Sequence, residues 1–528
     1  MKSMLKSSQT AAYLSLAIAF VCFIGNSAKW SIPISAWLGI AAMLYFIRQV
    51  KWWKGLLFGS LITFAAALIA NWGVIPFPLP VMLIILSVSS LLTMLPYLLD
   101  KWLAGAYPSF LSTLIFPAAF TVLDFWAATN SAAGTWGNIA YTQYAFTPLF
   151  QLASVTGIWG IGFLIYWFGS TANYVLERWG NRSVWPGTAF YAAFLLAAIS
   201  YGTVRLQVAK GSDAPRLKVA AISVENLSLL ERMYFAETGE EIEISPDAGQ
   251  QDPHLQKAQA TVAQFVENPA APRFNVVHEE AHRLMDQLLA LSKEAVEEGA
   301  QLIAWSEGVL MTGKPQETSI IERARAFARE YSVYLYLPIA SFLPGDVEDG
   351  KPFLENKILV IHPSGEILDI YFKNRPVPGE PSIPGDGELP IIEAPNGRFS
   401  HAICYDADFT DLMDQLHEKG AQLLVLPSGD WSAISPYHSY MAVARSIENG
   451  TALLRPVSKG LSIATDPWGR VLATDDYFED DRHYLTAAIP MAEVRTLYAG
   501  WGNWLVYSST VLFLLGCLPS FWSRWKSR

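Results

Sequence analysis

One cysteine stands apart in this sequence. Cys404 is the only thiol between residues 206 and 500, whereas Cys22 and Cys517 lie in apolar runs. A single thiol forms no disulfide within that region, so it is either a buried small hydrophobe or a reactive group. We predict a strand in SHAICYDADF that ends at this thiol and turns into a helix. Amide N–H groups at such a turn can stabilise a developing oxyanion.

Two charged residues at the ends of other predicted strands suit a thiol nucleophile. Glu307 ends the apolar run QLIAWSE, and Lys373 ends the predicted hairpin KILVIHPSGEILDIYFK. A carboxylate can take the thiol proton, and an ammonium group can stabilise the oxyanion. Charged residues at strand ends are more often simply solvated, so composition alone does not select these two. His401 lies three residues before the thiol, on the opposite face of an extended strand, and we expect no catalytic role for it.

Strands and helices alternate over residues 206–500. Residues 217–224 predict a buried strand, and residues 276–299 have helical apolar spacing, an acidic start and a glycine stop. This alternation indicates an α/β core with active residues at the carboxyl ends of strands. The stretch 225–275 is polar and acidic and fits no periodic pattern, so we interpret it as a long loop or insertion.

Charge divides the chain into three parts. Residues 1–205 hold ten Lys/Arg and three Asp/Glu, residues 206–500 hold 24 and 44, and the last 28 residues hold three and none. Apolar residues make up 52% of the chain, and the mean hydropathy is +0.26. These values indicate an acidic domain between two apolar, basic-edged membrane regions. The acidic domain argues against a nucleic-acid partner, because it cannot neutralise phosphates.

Eight apolar runs are each near the length that a bilayer requires: 10–27, 33–48, 54–72, 79–99, 108–127, 149–174, 186–204 and 502–521. With a cytoplasmic N-terminus, the inner loops and tails hold eleven Lys/Arg and the short outer loops hold only Lys29. The positive-inside rule then places both termini in the cytoplasm and residues 206–500 outside it. Seven spans with a cytoplasmic domain remain the alternative topology.

Three segments, WSEG (305–308), YFKNRPVPGE (371–380) and HAICYDADF (401–409), resemble the signature segments of the carbon-nitrogen hydrolase (nitrilase) family, in the family's order. Within that superfamily the chain is most similar to bacterial apolipoprotein N-acyltransferases, and the similarity extends to residues 139–167 of the apolar part. This resemblance implies a multi-span helical membrane bundle plus an α/β hydrolase domain with an αββα sandwich. The expected domains are a bundle of seven transmembrane helices (1–205), an extracytoplasmic hydrolase domain with an acidic insertion near 225–275 (206–500), and a final transmembrane helix with a basic cytoplasmic tail (501–528).

The resemblance also assigns roles to residues. Glu307 resembles the family's base, Lys373 its oxyanion lysine and Cys404 its nucleophile. Three further positions resemble supporting residues of the family: Glu380, Tyr405 and Asp406. The implied enzyme resides in a bacterial cell membrane and uses no metal or cofactor. Cys404 would take an acyl chain from a phospholipid as a thioester and pass it to the N-terminal amine of a lipoprotein.

Two alternatives stay open at the level of sequence. The first is a membrane-anchored extracytoplasmic amidase or nitrilase-type hydrolase, with the same three residues and water as the acceptor. It draws on the short, polar segment between Glu380 and Cys404, where the acyltransferases carry a longer apolar arm. The second is a non-catalytic membrane scaffold, which the intact set of Glu307, Lys373 and Cys404 disfavours.

Overall fold

The computed structural model describes residues 2–75, 77–103, 109–210, 213–242, 244, 252–345, 347 and 350–526. The chain divides into two compact units. One, the helical unit, comprises Met1–Lys210 and Thr496–Arg528, and the other, the sheet unit, comprises Gly211–Arg495.

The helical unit is built from apolar helices. The first nine in chain order are α1 (Lys2–Gly25), α2 (Pro33–Gln49), α3 (Trp52–Asn71), α4 (Leu79–Leu103), α5 (Ile115–Asn130), α6 (Thr147–Phe150), α7 (Ala153–Thr156), α8 (Ile158–Glu177) and α9 (Trp185–Lys210). Within the described residues, four stretches are helical, long and apolar enough to cross a membrane: Trp52–Asn71, Leu79–Leu103, Phe110–Asn130 and Arg182–Ala209. The stretches Gln9–Gly25 and Trp504–Cys517 are apolar but shorter. The helical unit therefore has several membrane-type helices, and the count of eight spans stays a prediction.

The sixth predicted span, 149–174, is not one straight helix. The chain bends by 116° between Thr147–Thr156 and Ile158–Glu177, which together make up a fifth candidate span. Gly157 at the break has φ +65°, and a Cβ there would lie 2.6 Å from the Tyr498 ring. A residue without a side chain is therefore needed at this position, and the apolar run alone did not reveal the bend.

The sheet unit alternates strands and helices, as predicted. Its elements are β1 (Arg216–Ile222), α10 (Leu229–Thr238), α11 (Pro253–Glu267), α12 (Asn275–Glu297), β2 (Leu302–Trp305), β3 (Met311–Gly313), α13 (Glu317–Tyr331), β4 (Tyr334–Phe342), β5 (Leu354–Ile361), β6 (Ile367–Phe372), β7 (Ile392–Ala394), β8 (Gly397–His401), α14 (Thr410–Met413), α15 (Gln415–Glu418), β9 (Leu423–Val425), β10 (Ser428–Gly429), α16 (Tyr437–Asn449), β11 (Ala452–Arg455), β12 (Val457–Ser458), β13 (Leu461–Thr465), β14 (Val471–Asp476) and β15 (Tyr484–Pro490). The chain then returns to the helical unit through α17 (Leu497–Trp501) and α18 (Trp504–Lys526).

Two mixed sheets form the centre of the sheet unit. One has the strand order β15-β1-β2-β4-β5-β6, with β3 beside β4, and the other has the order β14-β13-β11-β9-β8-β7. Strands β1, β2 and β4 run parallel, as do β8, β9 and β11. Helices α12 and α13 pack on the first sheet and α16 packs on the second, while β1 contacts β11 and β13. The αββα sandwich expected from the resemblance is confirmed.

The interpretation of 225–275 as a long loop was wrong, because the described residues of this stretch form two helices, whereas its being an insertion stays a prediction. Ser228 and Glu231 form a reciprocal capping box that starts α10, and Asp252 caps the first turn of α11 beside Pro253. Their apolar faces bury Met233 and Phe265 in a small second core. The Ser-x-x-Glu and Asp-Pro signals were present in the sequence, but the acidic composition outweighed them.

Candidate active site

A buried lysine joins two glutamates at the end of β6. Lys373 follows this strand directly, and its Nζ donates to Glu307 Oε1 and to Glu380 Oε2, both at 2.9 Å. The lysine side chain is only 3% exposed. The structure thus brings together three of the residues that the sequence singled out, although they lie up to 73 residues apart in the chain.

Gly429 links Glu307 to Cys404. Its amide N–H donates to Glu307 Oε2 at 3.1 Å, and its carbonyl oxygen accepts from the Cys404 thiol at 3.6 Å. The backbone carbonyl of Glu307 in turn accepts from Ser458 Oγ at 3.0 Å. The glutamate and the thiol predicted to exchange a proton therefore contact the same peptide segment.

Cys404 lies at a sharp turn rather than at the end of the strand. Strand β8 ends at His401, three residues earlier than the thiol, and a 3₁₀ turn spans Cys404–Asp408. The backbone of Cys404 has φ +45°, and its N–H donates to Pro427 O at 2.9 Å. A residue with a β-carbon is strained in the left-handed region, and it keeps this backbone conformation only where the surrounding structure enforces it. Such strain at a nucleophile is typical of a side chain that must project from a strand-to-helix turn.

Asn356, on β5, was not predicted as a site residue. Its Nδ2 donates to Glu307 Oε1 at 2.8 Å and to Glu380 Oε1 at 2.9 Å. Glu380 also accepts from Ser382 Oγ at 2.6 Å and from the Val377 N–H at 3.0 Å. An asparagine in the strand LENKILVI was the available signal, since a buried amide requires polar partners.

The charges of the site depend on one another. Burial alone would lower the pKa of Lys373, but Glu307, Glu380 and Cys404 raise it well above its usual value. Burial would raise the pKa of Glu380, yet Lys373 and its hydrogen bonds hold it at about 2. Burial, reinforced by Glu307, raises the pKa of Cys404 well above its ordinary range, while Lys373 opposes this. The resting nucleophile is thus a neutral thiol that needs a base to become reactive.

Asp406 braces the turn that carries the thiol. Its carboxylate accepts from the N–H groups of Ile403 at 2.9 Å and Arg375 at 2.7 Å, and from the Tyr371 hydroxyl at 2.7 Å. Burial raises the pKa of Asp406 to about 6, against these hydrogen bonds. Asp406 thus connects β6, which precedes Lys373, to the turn that carries Cys404, and it supports the reacting groups rather than taking part in the reaction.

Two other residues near the thiol have separate surroundings. The ring of Tyr405 packs edge-on against Phe409, with centroids 5.3 Å apart. His401 is fully buried, and its Nε2 lies 2.9 Å from Asp369 Oδ2. This bond directs His401 to strand β6, consistent with the expectation that it takes no part in catalysis.

The sequence predicts no role for Asp430, His438 and Arg455, which form a buried cluster close to the thiol. Ligand-type atoms of Cys404, Asp430 and His438 all lie within 4.8 Å of one another, a spacing that could suit a metal ion. Arg455, however, donates to both carboxylate oxygens of Asp430 at 3.0 Å, and His438 Nδ1 lies 2.7 Å from the same carboxylate. A guanidinium at this distance repels a cation, so the cluster has the character of an ion-pair network.

Two family models match this chain. Residues 261–499 match the carbon-nitrogen hydrolase model, and residues 8–171 match the N-terminal domain of apolipoprotein N-acyltransferase. The solved structure of an amidase from Nesterenkonia sp. superimposes with a TM-score of 0.40 at 16% identity, covering 56% of this chain and 97% of the amidase. Fold, site and family models define a carbon-nitrogen hydrolase domain in a chain that also has a membrane-type helical region.

Similarity to curated proteins extends over both parts. Apolipoprotein N-acyltransferase of Borreliella burgdorferi is 21% identical over 77% of this chain and 75% of its own length. The Bradyrhizobium diazoefficiens enzyme of the same name is 26% identical over 74% and 70%. Deaminated glutathione amidase of Dictyostelium discoideum is 28% identical, over 30% of this chain and 61% of its own. The chain is therefore an apolipoprotein N-acyltransferase-like member of the carbon-nitrogen hydrolase superfamily, an acyltransferase by class and a bacterial membrane protein.

Proposed function

We propose that this enzyme transfers an acyl chain from a phospholipid to the N-terminal amine of a lipoprotein through a thioester on Cys404. The observation that carries the proposal is the buried arrangement in which Lys373 bridges Glu307 and Glu380 while Gly429 links Glu307 to the thiol. An acyl transfer needs a base, a cation and a nucleophile within reach of one carbonyl carbon, and this arrangement supplies them.

The first half-reaction forms the thioester. Glu307 takes the thiol proton as the Cys404 sulfur attacks the ester carbonyl of the phospholipid. Negative charge develops on the carbonyl oxygen, where Lys373 and the N–H groups of the turn after Cys404 stabilise it. The C–O bond to the lysophospholipid then breaks, and the leaving oxygen receives the proton held by Glu307.

The second half-reaction consumes the thioester. The free amine of the acceptor attacks the thioester carbonyl and loses a proton to Glu307. Collapse of the second oxyanion breaks the C–S bond, and the returned proton regenerates the Cys404 thiol. Glu380 keeps Lys373 in position through both steps, because the two side chains are 2.9 Å apart and largely buried.

The proposed topology follows from the loop charges. We assign residues 1–205 and 501–528 to the membrane and residues 206–500 to the extracytoplasmic side, with both termini in the cytoplasm. The distribution of eleven basic residues against one supports this orientation. Phospholipid and lipoprotein both present their reacting groups at a membrane surface, which explains the union of a hydrolase-type domain with apolar helices.

Hydrolysis is the second candidate, favoured by the polar segment between Glu380 and Cys404 and by the similarity to an amidase. The test is to give the purified enzyme phospholipid together with a diacylated lipopeptide that has a free α-amine. A lipopeptide of the same sequence with an acetylated α-amine is the matched control. The proposal predicts N-acylation of the free amine only. Release of free fatty acid at the same rate with either lipopeptide would replace transfer by hydrolysis.

A further inference from the structure

A network of four buried ionic side chains reaches Cys404 through Asp430 and His438. Arg455 and Asp430 form a bidentate pair with two N–O distances of 3.0 Å. His438 lies 2.7 Å from Asp430 through Nδ1 and 3.3 Å from Asp408 through Nε2. All four side chains are at most 6% exposed. Burying four charges costs desolvation free energy, which their close pairing has to offset.

Each member of this group comes from a different element. Asp430 follows β10 directly, Arg455 ends β11, and His438 lies in the first turn of α16. Gly460 approaches so closely that a Cβ there would lie 2.9 Å from Asp430 Cβ. Asp430 is also fixed through its own N–H, which donates to Ser458 O at 2.9 Å. The Asp430 carboxylate is thus held by Arg455 of β11 and His438 of α16, while Ser458 and Gly460 restrain its backbone and its β-carbon.

The held carboxylate lies next to the segment that orients the nucleophile. Residues 427–429 accept the Cys404 N–H at Pro427 O, accept its thiol at Gly429 O and donate the Gly429 N–H to Glu307. Asp430 is the next residue. The contacts that fix Asp430 therefore also restrain the peptide that links Glu307 to Cys404.

The same residues also affect the pKa of the Cys404 thiol. Burial would lower the pKa of His438, but Asp430 and Asp408 raise it to about 9, so the imidazole is positively charged at neutral pH. Asp430 raises the pKa of Cys404, and Arg455 lowers it. The charged groups that act on the sulfur or lie near it are Glu307, Lys373, Asp430, His438 and Arg455, and Asp408 contacts His438.

We infer that Asp430, His438 and Arg455 are positioning residues: together they fix the 427–430 segment, and the two cations, His438 and Arg455, offset the charge of Asp430 near the Cys404 thiolate as it forms. The inference rests on the proposed role of Cys404 as nucleophile and is independent of the acyl acceptor. His438 and Arg455 act through Asp430 and through space, without touching the substrate. Lys373, His438 and Arg455 then share the stabilisation of the thiolate.

The test measures alkylation of Cys404 by iodoacetamide as a function of pH, by mass spectrometry of the Cys404 peptide from the full-length protein. His438→Gln removes the positive charge and keeps one hydrogen-bond donor. We expect the midpoint of its alkylation profile to rise by at least about one pH unit, since a charge within 4.8 Å acts in a low-dielectric interior. The matched control is His401→Gln, which alters another histidine–aspartate pair, one with a buried histidine and a partly exposed aspartate, and is expected to leave the midpoint unchanged.

Arg455→Lys tests the positioning of Asp430 apart from the charge of residue 455. Lysine keeps the positive charge but cannot form the two parallel hydrogen bonds that the guanidinium donates to Asp430. We expect its alkylation midpoint to match that of the wild type, while kcat for acylation falls at least about tenfold and KM stays unchanged. An unmoved midpoint in folded His438→Gln, or full kcat in Arg455→Lys, would overturn the inference. Alkylation needs no acyl donor, so a failure of the proposed acyl transfer would be seen separately, as absence of the thioester in the wild type.

Discussion

Two buried lysines on neighbouring strands allow the role of Lys373 to be tested with a matched control. Lys373 lies between Glu307 and Glu380. Lys357, on β5, is 4% exposed and also contacts two glutamates, Glu317 at 2.7 Å and Glu355 at 2.5 Å. The proposed perturbation is replacement of each lysine by methionine, which keeps the apolar stem and removes the charge.

The expected cost to stability follows from the partners left behind. Removing one partner of a buried ion pair generally costs about 3–5 kcal/mol, because the other charge stays buried and unpaired. Lys373→Met leaves two carboxylates without their cation, so we expect the full cost. Lys357→Met should cost less, because Lys314 remains 2.8 Å from Glu355. Both variants should therefore unfold at lower temperature than the wild type, with Lys373→Met the more affected.

The two variants should differ clearly in the rate of Cys404 acylation. Losing one group that stabilises an oxyanion costs on the order of 10²–10³ in rate, and only Lys373 belongs to the candidate site. The assay is the rate at which phospholipid acylates Cys404, measured well below the melting temperature of each variant. Lys357→Met should acylate at a rate close to that of the wild type. The oxyanion role of Lys373 would be contradicted if Lys373→Met kept more than about a tenth of the wild-type rate, or if Lys357→Met lost as much of the rate as Lys373→Met does.

Three further predictions concern other contacts. Lys373 holds the pKa of Glu380 at about 2 against an ordinary 4.5, so this carboxylate contributes up to about 3 kcal/mol above pH 5, lost as the pH falls towards 2. The difference in melting temperature between wild type and Glu380→Gln should shrink in acid, and a constant difference from pH 7 to pH 3 would contradict this. Ser228→Ala should destabilise Leu229–Thr238 by about 1 kcal/mol through loss of its cap, seen as faster amide exchange there and nowhere else. Asp406→Asn, which cannot accept the same hydrogen bonds, should slow acylation of Cys404 by about 10²-fold with an unchanged circular dichroism spectrum; a wild-type rate would remove its bracing role.

The sheet unit could be predicted well because its signals are local. The hairpin of β5 and β6, the helix α12 and the strand before Glu307 follow from periodicity and turn residues. The order of the strands in two facing sheets does not follow from such signals, because pairing depends on contacts between distant segments. The prediction failed at 225–275, where tertiary packing of two short helices outweighed an acidic composition.

The candidate site divides in a similar way. Resemblance singled out Glu307, Lys373, Glu380 and Cys404, and the structure places their side chains in one buried group. Asn356 was missed because one asparagine in a strand resembles any other until its partners are known. Asp430, His438 and Arg455 were missed because they lie on three separate elements, and no spacing along the chain relates them.

Acyl transfer through Cys404 is tested by the intact mass of the purified enzyme after exposure to phospholipid without an acceptor. We expect a gain of one acyl chain, located on Cys404, released by addition of a free-amine lipopeptide and absent from Cys404→Ser. An unchanged mass with every phospholipid tested, together with turnover of a soluble amide, would contradict the proposed acyl transfer. An acyl chain found on any residue other than Cys404 would contradict the assignment of the nucleophile.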